Sequence, residues 1–362
     1  MRRPELAHGL YLTVSIIFCI GPYPASSGRL QISGRFMLRV SFATAALLAL
    51  VSTAAAQEFP QTFEHKFGTT VLEQKPERIV TLTYTGVDHY LALGVVPVGI
   101  QFWYGDYPYG VWPWAQDELG DAELVVLGEV NYEQIAALDP DVIEAVVSGI
   151  TEEQYRELSK IAPVVATAAD QSDWSTPWYE ITRTVGRITG EQDKADVVVT
   201  TLQDRIAGIV ADHPEWQEMT ASVVHTDGSE LGVFRGLDAR SQVISQLGFT
   251  ITPALNDLGT PEDFYATASL EQLPIIEADL VVWISGTNDP APIKALPLRE
   301  RAKFYQEGRE MFAGTMLADA FSWSSPLSFD FLLDEMVPNI EAAVDGDPQT
   351  KVPTAEAVGL AP

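Results

Sequence analysis

Cysteine is almost absent from this chain. The single one, Cys19, lies near the start, and Phe18 precedes it where a lipoprotein signal needs a small residue. Beyond residue 56 there is none, which excludes disulfides, thiolate metal sites and a cysteine nucleophile. Histidine is scarce too: His65, His89, His213 and His225 show no metal-ligand spacing, so a His-rich zinc or manganese site is not expected. There is no Gly-x-Ser-x-Gly, no glycine-rich phosphate loop and no convincing triad. Positive charge is also in short supply, with 22 Lys and Arg against 50 Asp and Glu, a net of −28. Without residues 1–56 the balance is 17 against 49, a net of −32. Such a field disfavours nucleic acid and anionic membrane surfaces and suits solubility in a salty or acidic compartment. No apolar stretch after residue 56 approaches the length that spans a bilayer.

The N-terminus reads as a processed leader. Met37-Leu38-Arg39-Val40 opens a stretch that continues through apolar Phe42 to Val51 and ends in Ala54-Ala55-Ala56. A basic start, a short apolar core and an Ala-x-Ala site make a secretory signal peptide, with cleavage expected after Ala56. Residues 1–36 hold another apolar run, Leu10 to Ile20, too short to cross a membrane. They read as an upstream extension, with Met37 the true start.

Past the leader, strands alternate with helices. Arg78 to Leu82 predicts a strand, Gly86 to Leu93 a helix, and Val95 to Ile100 a second strand. Val142 to Val147, Ala221 to His225 and Leu280 to Ile284 predict further strands, and Ser328 to Val344 a closing helix. This alternation argues for parallel sheets built from βα units. From Trp178 to about Asp212 runs the longest uninterrupted helical pattern, ended by His213-Pro214. The expected organisation is an α/β fold in two lobes: residues 57–177, a linking helix at 178–217, a second lobe at 218–345 and a tail at 346–362. A single helix between lobes predicts small opening motions.

One phrase occurs twice. Residues 131–143 and 269–281 each place a capping residue (Asn131, Ser269) two positions before a Glu-Gln pair, then a short apolar helix. Eight residues after the Glu, an Asp (Asp141, Asp279) opens a β-branched run. Two such copies imply two related lobes. Gln134 and Gln272 occupy the third helical position, where a capping box puts its side chain. Glu133 and Glu271 are left pointing outward. They either favour the helix dipole alone or serve surface recognition, one per lobe.

Aromatic residues concentrate in one loop. Seven of the thirteen residues from Phe102 to Trp114 are Phe, Tyr or Trp. They could form a private mini-core. The loop also follows a parallel strand, so it emerges at a carboxyl edge, where open α/β sheets bind ligands. Trp103, Tyr104 and Trp112, with Tyr84 from the preceding loop, would make walls suited to a bulky amphipathic ligand. In the second lobe, Glu230 to Arg240 follows a strand and holds two of the few arginines. Arg240 either caps the next helix, pairs with Asp238 or reaches a ligand, and Arg235 reads as the better anion or carbonyl contact. Trp283 and Trp323 stand near loop starts and suit core or pocket. No adjacent tyrosine pair of the kind that clamps a bare ferric ion is present.

Several phrases, taken in order, resemble iron-siderophore ABC-transporter substrate-binding proteins. They are Lys75-Pro76-Glu77-Arg78-Ile79-Val80, Leu91 to Gly99, Val111-Trp112-Pro113-Trp114-Ala115-Gln116, Glu133 to Asp141, Leu158 to Pro163, Ala295 to Leu298 and Glu307 to Glu310. The resemblance covers nearly all of the mature chain. It implies a helix-linked bilobal fold shared with vitamin B12-binding proteins, and a periplasmic monomer that performs no covalent chemistry. It further implies a ferric siderophore held between the lobes, with iron coordinated by the siderophore rather than by the protein and no separate cofactor. Glu133 and Glu271 match the positions that dock on arginines of the membrane permease, and Arg240 matches a pocket or pocket-edge position. The acidic composition leans away from a highly anionic catecholate complex, towards a hydroxamate or mixed-ligand one. A cobalamin or haem receptor on the same fold and a secreted enzyme on a similar scaffold are the alternatives.

Overall fold

The computed structural model describes residues 59–362 apart from Ser175; the leader, its cleavage site and Cys19 lie outside them. The chain opens with an antiparallel hairpin of β1 (Gln61–His65) and β2 (Gly68–Leu72), where the sequence predicts only an extended lead-in. Five short strands then form a wholly parallel sheet: β3 (Ile79–Thr81), β4 (Gly99–Gln101), β5 (Val125–Leu127), β6 (Val142–Ala145) and β7 (Val164–Ala166). Their spatial order is β5-β4-β3-β6-β7. β3, β6 and β7 are buried throughout, as β-branched runs covered on both faces must be. The chain builds outward from β3 through β4 and β5, then outward on the other side from β6. The reversal point lies between β3 and β6.

The second sheet is mixed. β8 (Thr220–Thr226), β12 (Leu280–Ile284) and β13 (Glu310–Ala313) run parallel. β9 (Leu231–Phe234) folds back antiparallel on β8, and β11 (Tyr265–Ala268) pairs antiparallel with β9. A two-residue strand, β10 (Thr250–Ile251), pairs with the start of β8.

The segment expected as one linking helix is two. α1 (Trp178–Thr189) stops at Gly190, whose φ of 70° supplies the left-handed cap, and α2 (Gln192–Asp212) follows. Gly186 lets the two helices approach closely, since a Cβ there would stand 2.6 Å from the Ala195 methyl. α1 buries Trp178, Ile181, Val185 and Ile188 along one stripe, the helical repeat of an apolar face. Three more helices pack against the second sheet: α3 (Ala239–Gln246), α4 (Thr315–Trp323) and α5 (Pro326–Val344).

The repeated phrase is realised as a repeated structure. Asn131 accepts the Gln134 amide at 3.0 Å and starts the helix Tyr132–Ala137. Ser269 and Gln272 complete both halves of a capping box. That second helix, Leu270–Ile276, is a tighter 3₁₀ turn containing Pro274, which has no N–H for an α-helical bond. The two aspartates then do equivalent work. Asp141 accepts the Glu77 and Arg78 amides, both at 2.8 Å, where the chain enters β3. Asp279 accepts the Thr220 amide at 2.9 Å and its hydroxyl at 2.8 Å at the start of β8. Each Asp thus ties the strand of its own phrase to the neighbouring parallel strand.

Candidate functional site

The loops after β3 and β6 meet at the reversal point of the first sheet, the crevice where open α/β sheets receive ligands. The Tyr84 amide donates to the Val147 carbonyl at 2.9 Å, joining the two loops. Val147 is held at φ 54° and Ser324, across the cleft, at φ 44°. A β-branched residue in the left-handed region is strained by about 1–3 kcal/mol, and such strain gathers at ligand sites. Below them Glu144 is wholly buried and accepts from the Thr81 hydroxyl at 2.6 Å and the Val146 amide at 2.7 Å. Burial, with no cation beside it in those bonds, pushes its carboxyl up to about 7.

A cleft of about 240 Å³ opens here. One wall comes from Tyr84, Val147 and Trp174, another from Trp178 and Ile181 on α1, and a third from Arg240, Phe264, Ser322 and Trp323. Tyr84 is the hub of the aromatic lining. Its ring centre lies 5.3 Å from Trp103, 5.9 Å from Tyr104, 5.9 Å from Trp174 and 5.5 Å from Trp323. Its hydroxyl donates to that of Tyr104 at 3.2 Å, and Trp103 Nε1 donates to the Thr83 carbonyl at 3.1 Å. Burial raises the pKa of both tyrosines, so each hydroxyl stays protonated, Tyr84 donating to Tyr104 and Tyr104 to Asp319. The Thr176 hydroxyl lines the same cleft, buried and, among the described residues, with no hydrogen-bond partner.

The structure therefore brings together Tyr84, Trp103, Tyr104, Arg240 and Trp323. Trp112 is a supporting residue instead: 2% exposed, it stacks on Trp114 at 5.1 Å and meets Tyr104 and Trp323 by its edge. The aromatic loop is thus a mini-core that backs the cleft residues Tyr84 and Trp323. Two further expectations are corrected besides Trp112. Trp283 is fully buried in the second sheet, its Nε1 donating to Glu310 at 2.7 Å. It belongs to the core because β12 lies between β8 and β13 and is buried along its whole length. Arg235 is 4% exposed and directs its guanidinium at the Thr260, Asp263 and Asn256 carbonyls. It pins the loop before β11 and is not a ligand contact. Trp174, Phe264 and Ser322 were missed. Trp174 precedes α1 in a segment with no strand or helix signal, and Ser322 is the last turn of α4, whose Ala-rich stretch carries no distinguishing pattern.

The two sides of the cleft also bond directly. Asp88, 1% exposed, accepts from Trp114 Nε1 at 2.8 Å and from the Ser325 hydroxyl at 2.6 Å. Tyr107 donates to Met316 Sδ at 3.1 Å. Burial raises the Asp88 carboxyl to about 6 against those bonds. The folded state then holds this proton more tightly than the unfolded chain, so Asp88 stabilises the fold at low pH and that contribution is lost as pH rises through about 6. Asp88→Asn cannot titrate. Relative to wild type it should gain up to about 3 kcal/mol between about pH 4 and pH 7, read from urea unfolding at both values. An equal difference at the two pH values would contradict this.

Glu133 and Glu271 lie away from this cleft, both exposed on the first turns of their helices.

Two sheets facing across an aromatic cleft, with bonds from side to side and a helical connection, define a two-lobed solute-binding receptor. The chain belongs to the periplasmic binding protein family, whose model matches residues 79–313. Among curated relatives, the probable siderophore-binding lipoprotein YfiY of Bacillus subtilis is 27% identical over 241 residues, covering 64% of this chain and 70% of that protein. The ferric-anguibactin-binding protein FatB of Vibrio anguillarum is 25% identical over 296 residues, 77% of this chain and 87% of that one. The crystal structure of Streptococcus pneumoniae PiaA in complex with ferrichrome superposes with a TM-score of 0.68 at 27% identity, over 79% of this chain and 99% of that one.

Proposed function

We propose that this protein captures a ferric siderophore in the cleft between its lobes and delivers it to an ABC importer for iron uptake. The observation that carries the reading is the Tyr84 cluster. Rings, protonated hydroxyls and one guanidinium converge on the crevice of a fold whose relatives are named for ferric chelates. Such a lining grips a bulky, partly apolar chelate by stacking and hydrogen bonds. The receptor needs no bond to iron, because the siderophore brings its own ligands, and it performs no chemistry on its cargo. Glu133 and Glu271 serve as the two permease contacts, one per lobe. Export through a cleaved leader and action as a monomer in the periplasm complete the proposal.

Trp174, Trp178 and Trp323 line the cleft, so intrinsic fluorescence reports its occupancy. Titration with ferrichrome, ferrioxamine B, ferric enterobactin, cobalamin and haem should give saturable quenching by at least one ferric siderophore. Binding of cobalamin or haem alone would overturn the reading.

A further inference from the structure

We infer that the cleft selects ferric chelates without net negative charge, neutral tris-hydroxamates and those bearing a pendant ammonium, and that Asp238 sets this preference. This selectivity presupposes the siderophore function proposed for the cleft. Among the described residues that line it, Arg240 is the only cation and Asp238 the only anion. Arg240 Nε donates to Asp238 Oδ1 at 2.9 Å and Nη2 to Oδ2 at 3.3 Å, while the guanidinium lies 4.0 Å over the Phe234 ring. Its remaining arm reaches the Ser322 hydroxyl at 3.4 Å. Asp238 is 2% exposed and also accepts the Arg240 amide at 2.9 Å as the cap of α3. The pair is preformed, so the guanidinium offers donors but little net charge.

The surroundings reinforce this. His225 stands close enough to Arg240 to feel its charge, and burial lowers its pKa, leaving it neutral. Asp319, 8% exposed, hydrogen-bonds Tyr104 behind the wall and adds a carboxyl to the same region. Arg235 is committed to backbone carbonyls. Three hydroxamates cancel the charge of a ferric ion, whereas three catecholates leave a trianion. A trianion entering this cleft loses its hydration and finds no surplus cation to replace it, under a strongly negative overall field. A neutral hydroxamate chelate offers carbonyl oxygens to the Arg240 guanidinium, whose N–H groups are not all taken by Asp238 and Ser322. A pendant ammonium meets indole faces, where cations bind favourably.

The test is the affinity of wild type, Asp238→Asn and Arg240→Gln for ferrichrome, ferrioxamine B and ferric enterobactin, at one ionic strength. Asn keeps the helix cap and removes the charge. Wild type should bind the two hydroxamates about 100-fold more tightly than the trianion, since unmatched charge costs several kcal/mol at such a contact. Asp238→Asn should narrow that gap about 10-fold and Arg240→Gln should widen it. Enterobactin binding as tightly as the hydroxamates to wild type would overturn the inference while leaving the siderophore reading intact. So would a gap that neither variant changes. Failure of all three chelates to bind would sink both.

Discussion

Reversing the charge of Glu133 and Glu271 together should abolish uptake of the chelate through the importer while leaving its affinity for the isolated protein unchanged. Both side chains are exposed, each on the first turn of a capped helix. In both copies the third helical position is already involved at the cap, by the Gln134 amide donating to Asn131 and by the Gln272 side chain accepting the Ser269 amide. The glutamates therefore have no part in starting their helices beyond a dipole effect of about 0.3–1 kcal/mol. Their helices are anchored to equivalent strand starts through Asp141 and Asp279, which gives the two carboxylates matched settings. A charged rim contact that meets arginines loses attraction and gains repulsion on reversal, so two reversals should remove productive docking. Uptake of labelled ferric chelate and fluorescence titration read the two effects separately. Weakened affinity would place these residues in the pocket, and wild-type uptake would refute docking.

Arg299→Met should destabilise the fold by about 3–5 kcal/mol, the usual cost of leaving one member of a buried ion pair alone. Arg299 and Glu310 are 5% and 3% exposed in their side chains. Arg299 Nε and Nη2 reach the two carboxylate oxygens at 2.9 and 2.7 Å. Arg299 also donates to the Leu360 carbonyl at 2.7 Å, and Trp283 Nε1 donates to Glu310. Burial pushes the Glu310 carboxyl up and the Arg299 bonds pull it back. Removing the guanidinium leaves a buried carboxylate held by one indole. Urea unfolding measures the loss, and the double variant Arg299→Met, Glu310→Leu should recover much of it. A loss below about 1 kcal/mol would mean that water reaches Glu310.

Much of the fold was legible because its central strands are β-branched runs bounded by turn residues. β3, β6, β8 and β12 fall within a few residues of their predicted positions. What was missed lacks that signal. β1 and β2 are short and half polar, and β9 and β11 pair antiparallel within a region read only as loops. The break at Gly190 was hidden because helical patterns of equal quality lie on both sides, and one left-handed glycine separates them. At the site, chemistry was visible and direction was not. Arg235 and Arg240 look alike in sequence; only the fold shows one clamping three carbonyls and the other held in the cleft by Asp238. Trp283 and Trp323 differ likewise. The first lies in a strand buried along its whole length, and the second ends a helix that faces Tyr84.

The most direct test of siderophore capture is native mass spectrometry of the protein purified from iron-limited cells of its own host with bound ligand retained. The expected result is an added mass with the isotope pattern of iron, released as an intact organic chelate without net negative charge. Cobalamin, haem or a chemically altered product in the cleft would contradict it.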